Sequence, residues 1–204
     1  EVGLVPNGVS LDFFKIKESW KDVKPKILFV ANFKWLQNVE AAELLLDEVF
    51  PLIHKKNPKV KVWIVGQHIP DSIIKRRNEN IIVDNLKEDD QEGIRKAYYE
   101  STAFVSPLRG PGGTRLKHFA AMAAKLPLIT TSVGAEGLGA TNGKNIIVQN
   151  EPVSLAKATL EIIDSEEKAR EIANNARRLV EEKFSWYKMS EYLDRIYEET
   201  SNRK

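Results

Sequence analysis

KILFVANFKWLQNVEAAELLLDEVFPLIHKKNPKVKVWIVGQ, residues 26–67, changes its periodicity twice. It opens on KILFVANF, a short apolar run rich in β-formers. It continues through NVEAAELLLDEVFPLIHKKN, where apolar residues return at Ala42, Leu45, Leu46, Val49 and Leu52, and it closes on KVKVWIVGQ. Apolar residues three and four apart form one stripe on a helix, whereas a short, nearly continuous apolar run suits a strand buried on both faces. Strand, helix and strand in that order make a βαβ unit.

The same alternation continues outward. A short helix is expected near residues 71–77, then the strand NIIVDNL, the helix DQEGIRKAYYES and the strand TAFVSPL. A glycine-rich turn leads into an alanine-rich helix, followed by the strand LPLITTS, the loop VGAEGLGATNGK and the short strand NIIVQN. From Pro152 onward the pattern is helical: SLAKATLEIID, EEKAREIANNARRLVEEKF and SWYKMSEYLDRIYEE. Such alternation predicts an α/β domain with a doubly wound parallel sheet and extra C-terminal helices. Ligands of these folds sit beyond the carboxyl ends of the strands, here the loops 31–38, 66–70, 84–90, 108–115 and 132–143.

Composition narrows the function classes. The 204 residues are 42% apolar and 29% charged with a net charge of +2, enough for one full-sized domain with its own core. A nucleic-acid-coating protein needs a clustered basic excess that this balance does not supply. Without cysteine, thiolate metal sites and cysteine nucleophiles are excluded, and His54, His68 and His118 have no metal-ligand spacing. No secretory leader and no apolar run of about 20 residues is present, so a cytoplasmic location is expected. The start, EVGLVPNGVSLDFF, lacks methionine and reads as a strand end and turn, as in a piece of a longer polypeptide.

RGPGGTRLKHFAAMAAKLPLITT, residues 109–131, holds the chemistry. Gly110, Gly112 and Gly113 let another group approach the backbone, immediately before a helix whose first amides lack intrahelical acceptors. Thr114 is a candidate cap, and Arg115 and Lys117 add positive charge to the positive end of the helix dipole. Two readings stand on composition: an anion site suited to phosphate, or a tight turn with solvated basic residues. Neither GxxxxGK[ST] nor GxGxxG is present.

Nearly the whole chain resembles the C-terminal, nucleotide-sugar-binding half of a GT-B glycosyltransferase, of the retaining family known as glycosyl transferases group 1. PNGVSLDFF resembles the interdomain linker, and GGTRLKHFAAMAAKLPLITTSVGAEGL resembles the pattern G-G-T-R-L-K-I-L-E-A-M-A-x-G-x-P-V-V-S-T-x-x-G-A-E-G-L. FSWYKMSEYLDRIYEE resembles the closing helix that crosses back toward the other domain. The resemblance implies a linker and domain start over residues 1–25, a Rossmann-like binding domain over 26–184 and a crossing helix over 185–204. It implies that the partner is an N-terminal acceptor-binding domain, the only route to peripheral membrane association. The donor would be a nucleoside-diphosphate sugar, with no metal and no separate cofactor.

By the same resemblance, Gly112, Gly113, Thr114 and the amides around Arg115, Leu116 and Lys117 hold the diphosphate. Arg115 and Lys117 counter its charge as it departs, a term of several kcal/mol in comparable sites. The base lies against Asp84, Asn85 and Leu86, and the loop carrying Gly134 and Glu136 closes over the sugar or phosphates. Departures are marked. The ribose-binding glutamate falls on Ala120, the glycine after A-M-A-x on Lys125, and the second acidic position on Gly112. The family's phosphate pair after the first strand falls on Asn32 and Gln37, with Lys34 nearby as a substitute. His68 is a candidate ligand contact, Trp35 packs under its loop or borders the cleft, Trp63 belongs to the core, His54 caps a helix and His118 packs. A rival reading makes the chain a degenerate, non-catalytic nucleotide-binding or interaction module. An epimerase of the same fold is disfavoured, since it needs more acid–base groups in the cleft.

Overall fold

Six parallel strands form one sheet in the order β3-β2-β1-β4-β5-β6. The computed structural model describes residues 5–20, 24–110 and 115–201. The strands are β1 (Lys26–Asn32), β2 (Lys61–Gln67), β3 (Ile81–Asn85), β4 (Ala103–Ser106), β5 (Leu128–Thr130) and β6 (Ile147–Val148). The chain first builds outward from β1 through β2 to β3, then returns to the other side of β1 with β4. Strand order therefore reverses between β1 and β4, and a crevice opens at such a reversal. β1 is buried from Ile27 to Ala31 and β4 along its whole length, because helices cover both faces.

The long stripe between β1 and β2 forms α1 (Leu36–Leu44), a π-helical stretch (Leu45–Val49) and α2 (Phe50–Lys56). The periodicity predicts one uninterrupted helix from residue 38. Pro51, in the first turn of α2, has no N–H to return to the preceding turn, and the π stretch precedes it. Short α3 (Asp71–Ile74) and α4 (Gln91–Glu100) connect β2, β3 and β4. Asp90 caps α4, its Oδ1 accepting the Gly93 N–H at 2.8 Å.

After β4 come α5 (Leu116–Ala123), α6 (Ser132–Ala135), α7 (Pro152–Asp164), α8 (Glu166–Lys183) and α9 (Trp186–Ser201). The stretch expected as a plain loop after β5 thus begins with one helical turn, capped by Thr131, whose Oγ1 accepts the Gly134 N–H at 3.0 Å. Among residues 5–20 there is no strand, only a single bridge from Val9 to Ser185. The turn read there from Pro6 and Gly8 is instead pressed against Trp186 and Met189 of α9.

Buried cations tie this N-terminal segment to the domain. Lys17 Nζ donates to Ser101 O at 2.6 Å and Tyr99 O at 3.2 Å, meeting the carbonyls at the end of α4. Arg177 of α8 donates to Leu11 O at 3.3 Å and to Ala123 O at the end of α5. Trp20 is buried and donates to Lys125 O at 3.0 Å. No described helix is long and apolar enough to cross a membrane.

Candidate functional site

Beyond the ends of β1 and β2, against the first turns of α5, lies a groove of about 460 Å³. Its walls include Asn32 from β1, Gly66 and Gln67 from β2, and Leu116, Lys117 and Ala120 from α5, with Phe14, Trp35 and Tyr98 around them. Gly66 is required by close approach: a Cβ there would fall 1.8 Å from Ala31 O on the neighbouring strand. Trp35 is 61% exposed at the rim, so it borders the cleft rather than packing beneath its loop.

Among the described residues, Lys117 is the cation that lines the groove. Its ammonium stands 4.9 Å from the centre of the Phe29 ring and donates to Asn38 Oδ1. Burial, and then the positive charge of Arg115, lower its pKa to about 7. Asn38 is buried on the first turn of α1, and its Nδ2 donates to Asn32 O at 2.7 Å. Tyr98 O–H donates to Lys117 O at 3.1 Å, and burial raises the pKa of that phenol, so it remains neutral.

Arg115 takes a different position from Lys117. It is 6% exposed, occupies the N-cap of α5 and donates through Nη2 to Val133 O at 3.0 Å. Its side chain does not cap the helix, and among the described residues no acceptor meets the Leu116 or Lys117 N–H. Leu116 is exposed, while Gly112, Gly113 and Thr114 lie outside the described residues.

The remaining sequence candidates occupy three places. Lys34 and His68 come together through Glu88, whose Oε1 is 4.0 Å from Lys34 Nζ and 3.7 Å from His68 Nε2. Asn32 lies just inside them, its Oδ1 accepting the Lys34 N–H at 3.0 Å. Asn85 and Leu86 brace the end of β2: Asn85 Oδ1 accepts from Ile69 N at 3.2 Å, and Leu86 N donates to Gly66 O at 2.6 Å. Gly134 is buried under α5, and Glu136 is exposed.

His118 behaves as the packing group expected of it. His118 is fully buried, with Nδ1 2.9 Å from Gly134 O. Burial and then the Lys117 charge lower its pKa to about 3, so it is neutral near pH 7. His54 is half-buried with Nδ1 3.3 Å from Val60 O. Trp63 is buried and donates to Asp84 Oδ2 at 2.8 Å. No described group of three or more His, Asp or Glu is arranged to hold a metal ion.

Asn38, Phe29, Phe14 and Tyr98 are among the candidate-site residues that sequence reasoning missed. Asn38 reads there as a helix-starting polar residue, and Phe29 as core. The available signal was an asparagine placed where a helix begins just after a strand ends.

An uncharacterized 44.6 kDa protein in the cps region of Klebsiella pneumoniae is 26% identical over 163 residues, which are 78% of this chain and 42% of that protein. The C-terminal domain of a glycosyl transferase group 1 family protein from Francisella tularensis superposes with a TM-score of 0.69 at 20% identity, over 88% of this chain and all of that one. Anabaena HepE, solved in complex with UDP and glucose, superposes with a TM-score of 0.69 at 15% identity, over 96% of this chain and 55% of that one. The chain spans under half the length of the curated relatives it matches, 42%, 49% and 40% of them. The model for Glycosyl transferases group 1 matches residues 24–165, more than half of the sequence, and the chain belongs to that family.

Proposed function

We propose that the chain is the donor-binding half of a glycosyltransferase, holding the diphosphate of a nucleoside-diphosphate sugar at the start of α5 without a metal ion. The observation that carries this reading is Lys117: a half-buried cation lining a groove beside the first amides of a helix, at the point where strand order reverses. When the C1–O bond of the donor breaks, its electron pair stays on a phosphate oxygen. A fixed ammonium and aligned amides stabilise the charge that develops there more than they stabilise the intact donor. Leu116 and Lys117 supply the amides, continued by Gly112, Gly113 and Thr114, and Arg115 supplies field from inside the helix mouth. The base rests by Asn85 and Leu86, Gly134 and Glu136 border the sugar, and Asn32, Lys34 and His68 form the outer lip. HepE, a neighbour of the same fold, supports this class of ligand because it holds UDP and glucose.

The short span relative to the curated relatives supports a further, acceptor-binding domain in the parent chain, approached through residues 1–25 and 185–204. Any membrane association belongs to that domain, and a cytoplasmic location fits a nucleotide-sugar donor. One observation favours a second reading, a degenerate binding module: Ala120 lines the groove with a methyl group where the resemblance implies a ribose-binding carboxylate.

Calorimetric titration with UDP, GDP and ADP separates the two. The donor-binding reading expects one of them to bind with a Kd below the millimolar range, weakened about tenfold or more by Lys117→Met, as for loss of a bond to a charged group. No binding by the wild type, with binding created by Ala120→Glu, replaces it with the degenerate reading.

A further inference from the structure

The ammonium of Lys117 is held by a chain of bonds that begins in the sheet. Asn32 ends β1, and its carbonyl accepts the Asn38 Nδ2–H at 2.7 Å. That bond fixes which end of the Asn38 carboxamide faces Lys117: the nitrogen is engaged with the strand, so the oxygen is turned to the ammonium, whose Nζ donates to it. Phe29, also on β1, supports the ammonium from its ring face at 4.9 Å. Asn38 is 8% exposed, so its amide does not exchange freely with water.

Among the described residues, no carboxylate competes with this acceptor for Lys117. Arg115 on the same helix is positive, His118 is neutral and bonded to Gly134 O, and Tyr98 on α4 is a neutral phenol bonded to the Lys117 carbonyl. A partly desolvated ammonium, repelled by an arginine and met by a neutral amide oxygen, keeps its charge less firmly than a solvated lysine. A carboxylate in place of Asn38 would hold the charge more firmly, but it would also neutralise the field offered to an anion.

We propose that Asn38 is the positioning residue for Lys117: its carboxamide, oriented by the last carbonyl of β1, aims the ammonium into the groove without cancelling its charge. The inference rests on the donor-binding reading for its purpose, but the tether itself is testable without ligand. The ammonium is ready to exchange the amide oxygen for a phosphate oxygen, or to bridge both.

The test follows the Lys117 side chain by NMR in the 204-residue chain carrying ¹³C-labelled lysine, with the resonance assigned by its absence in Lys117→Met. Asn38→Leu removes the acceptor at similar size, and the Lys117 titration midpoint is expected to fall by about half a pH unit or more. Asn38→Asp makes the acceptor anionic at the same size, and the midpoint is expected to rise by about one unit or more. A residue serving only the helix start would leave both midpoints unchanged, and that result overturns the proposal, as does a shift of the same sign in both variants. If Asn38→Leu does not fold, the isosteric Asn38→Asp decides alone: a midpoint that does not rise overturns the tether. Inorganic pyrophosphate, titrated at pH 6.5, is expected to bind Asn38→Leu and Asn38→Asp at least fivefold more weakly than wild type, and equal affinity overturns the positioning role. If the midpoints move in opposite directions but pyrophosphate binds none of the proteins, the tether stands and the donor-binding reading is what fails.

Discussion

Lys117 and Arg115 are two residues apart, yet burial gives them different work. In sequence they read as a pair of cations at a helix mouth. In the structure the guanidinium turns inward to Val133 O, and the ammonium lines the groove. The site was legible at Lys117 because a basic residue after a glycine turn is a local signal. The inward turn of Arg115 depends on a carbonyl 18 residues away, and the amide of Asn38 meets Lys117 across 79 residues; no local pattern encodes such pairings. The pH behaviour follows from the lowered pKa. Lys117 is cationic below about 7 and neutral above it. An anion that favours the ammonium is therefore expected to bind more weakly as pH rises from 7 to 9, by up to about tenfold per unit. Calorimetry with UDP across that range checks it, and Lys117→Met should bind weakly with no such slope. The same shift bears on stability. Between pH 7 and the ordinary lysine range the unfolded chain binds more protons than the folded one, so stability rises with pH across that window. Lys117→Met should abolish that rise in urea midpoints and stabilise the chain at pH 7 by about 1–2 kcal/mol.

At the scale of elements, α5 shows how a departure from a family pattern acquires a physical meaning. Lys125 stands where the resemblance implies glycine, and its φ is +53°. The chain leaves the helix by paired bonds, Leu126 N–H to Ala121 O at 2.9 Å and Lys125 N–H to Met122 O at 3.2 Å. That motif needs a left-handed residue at Lys125, where a Cβ is costly. Lys125→Gly is thus expected to raise stability by about 1 kcal/mol, read as a higher Tm in a thermal melt, with nucleotide affinity unchanged. The start of α5 is tied to α6 by Arg115 to Val133 O and by His118 to Gly134 O. Gly134 fits because it has no side chain: a Cβ would lie 2.0 Å from Thr130 Oγ1 and 3.3 Å from His118. Gly134→Ala should cost about 1–3 kcal/mol of overpacking in urea denaturation and disturb the bonds that orient α5. Sequence showed the glycine but not its reason, since Thr130, Gly134 and His118 meet only when the sheet is assembled. Likewise the apolar stripe after residue 38 showed a helix, while the π stretch ahead of Pro51 depends on one missing donor that periodicity averages away.

For the molecule as a whole, the alternation of strands and helices was readable because each βα unit carries its own pattern, and all six strands lie where the apolar runs placed them. Their lateral order was not readable from residues alone, since a strand buried on both faces looks the same at the centre and near the edge. The N-terminal segment was hardest: residues 5–20 have no period, and their order comes from the bonds of Lys17, Trp20 and Arg177. Its role in the site was hidden with it, since Phe14 reaches the groove from there. These parts converge on one place, the groove at the reversal of strand order with Lys117 at its wall. A crystal structure of the chain soaked with UDP tests that convergence most directly. The expected result is a diphosphate oxygen within about 3 Å of Lys117 Nζ, with the first amides of α5 donating to the same group. Nucleotide bound away from α5, or phosphates held with Lys117 still turned only to Asn38, would contradict it.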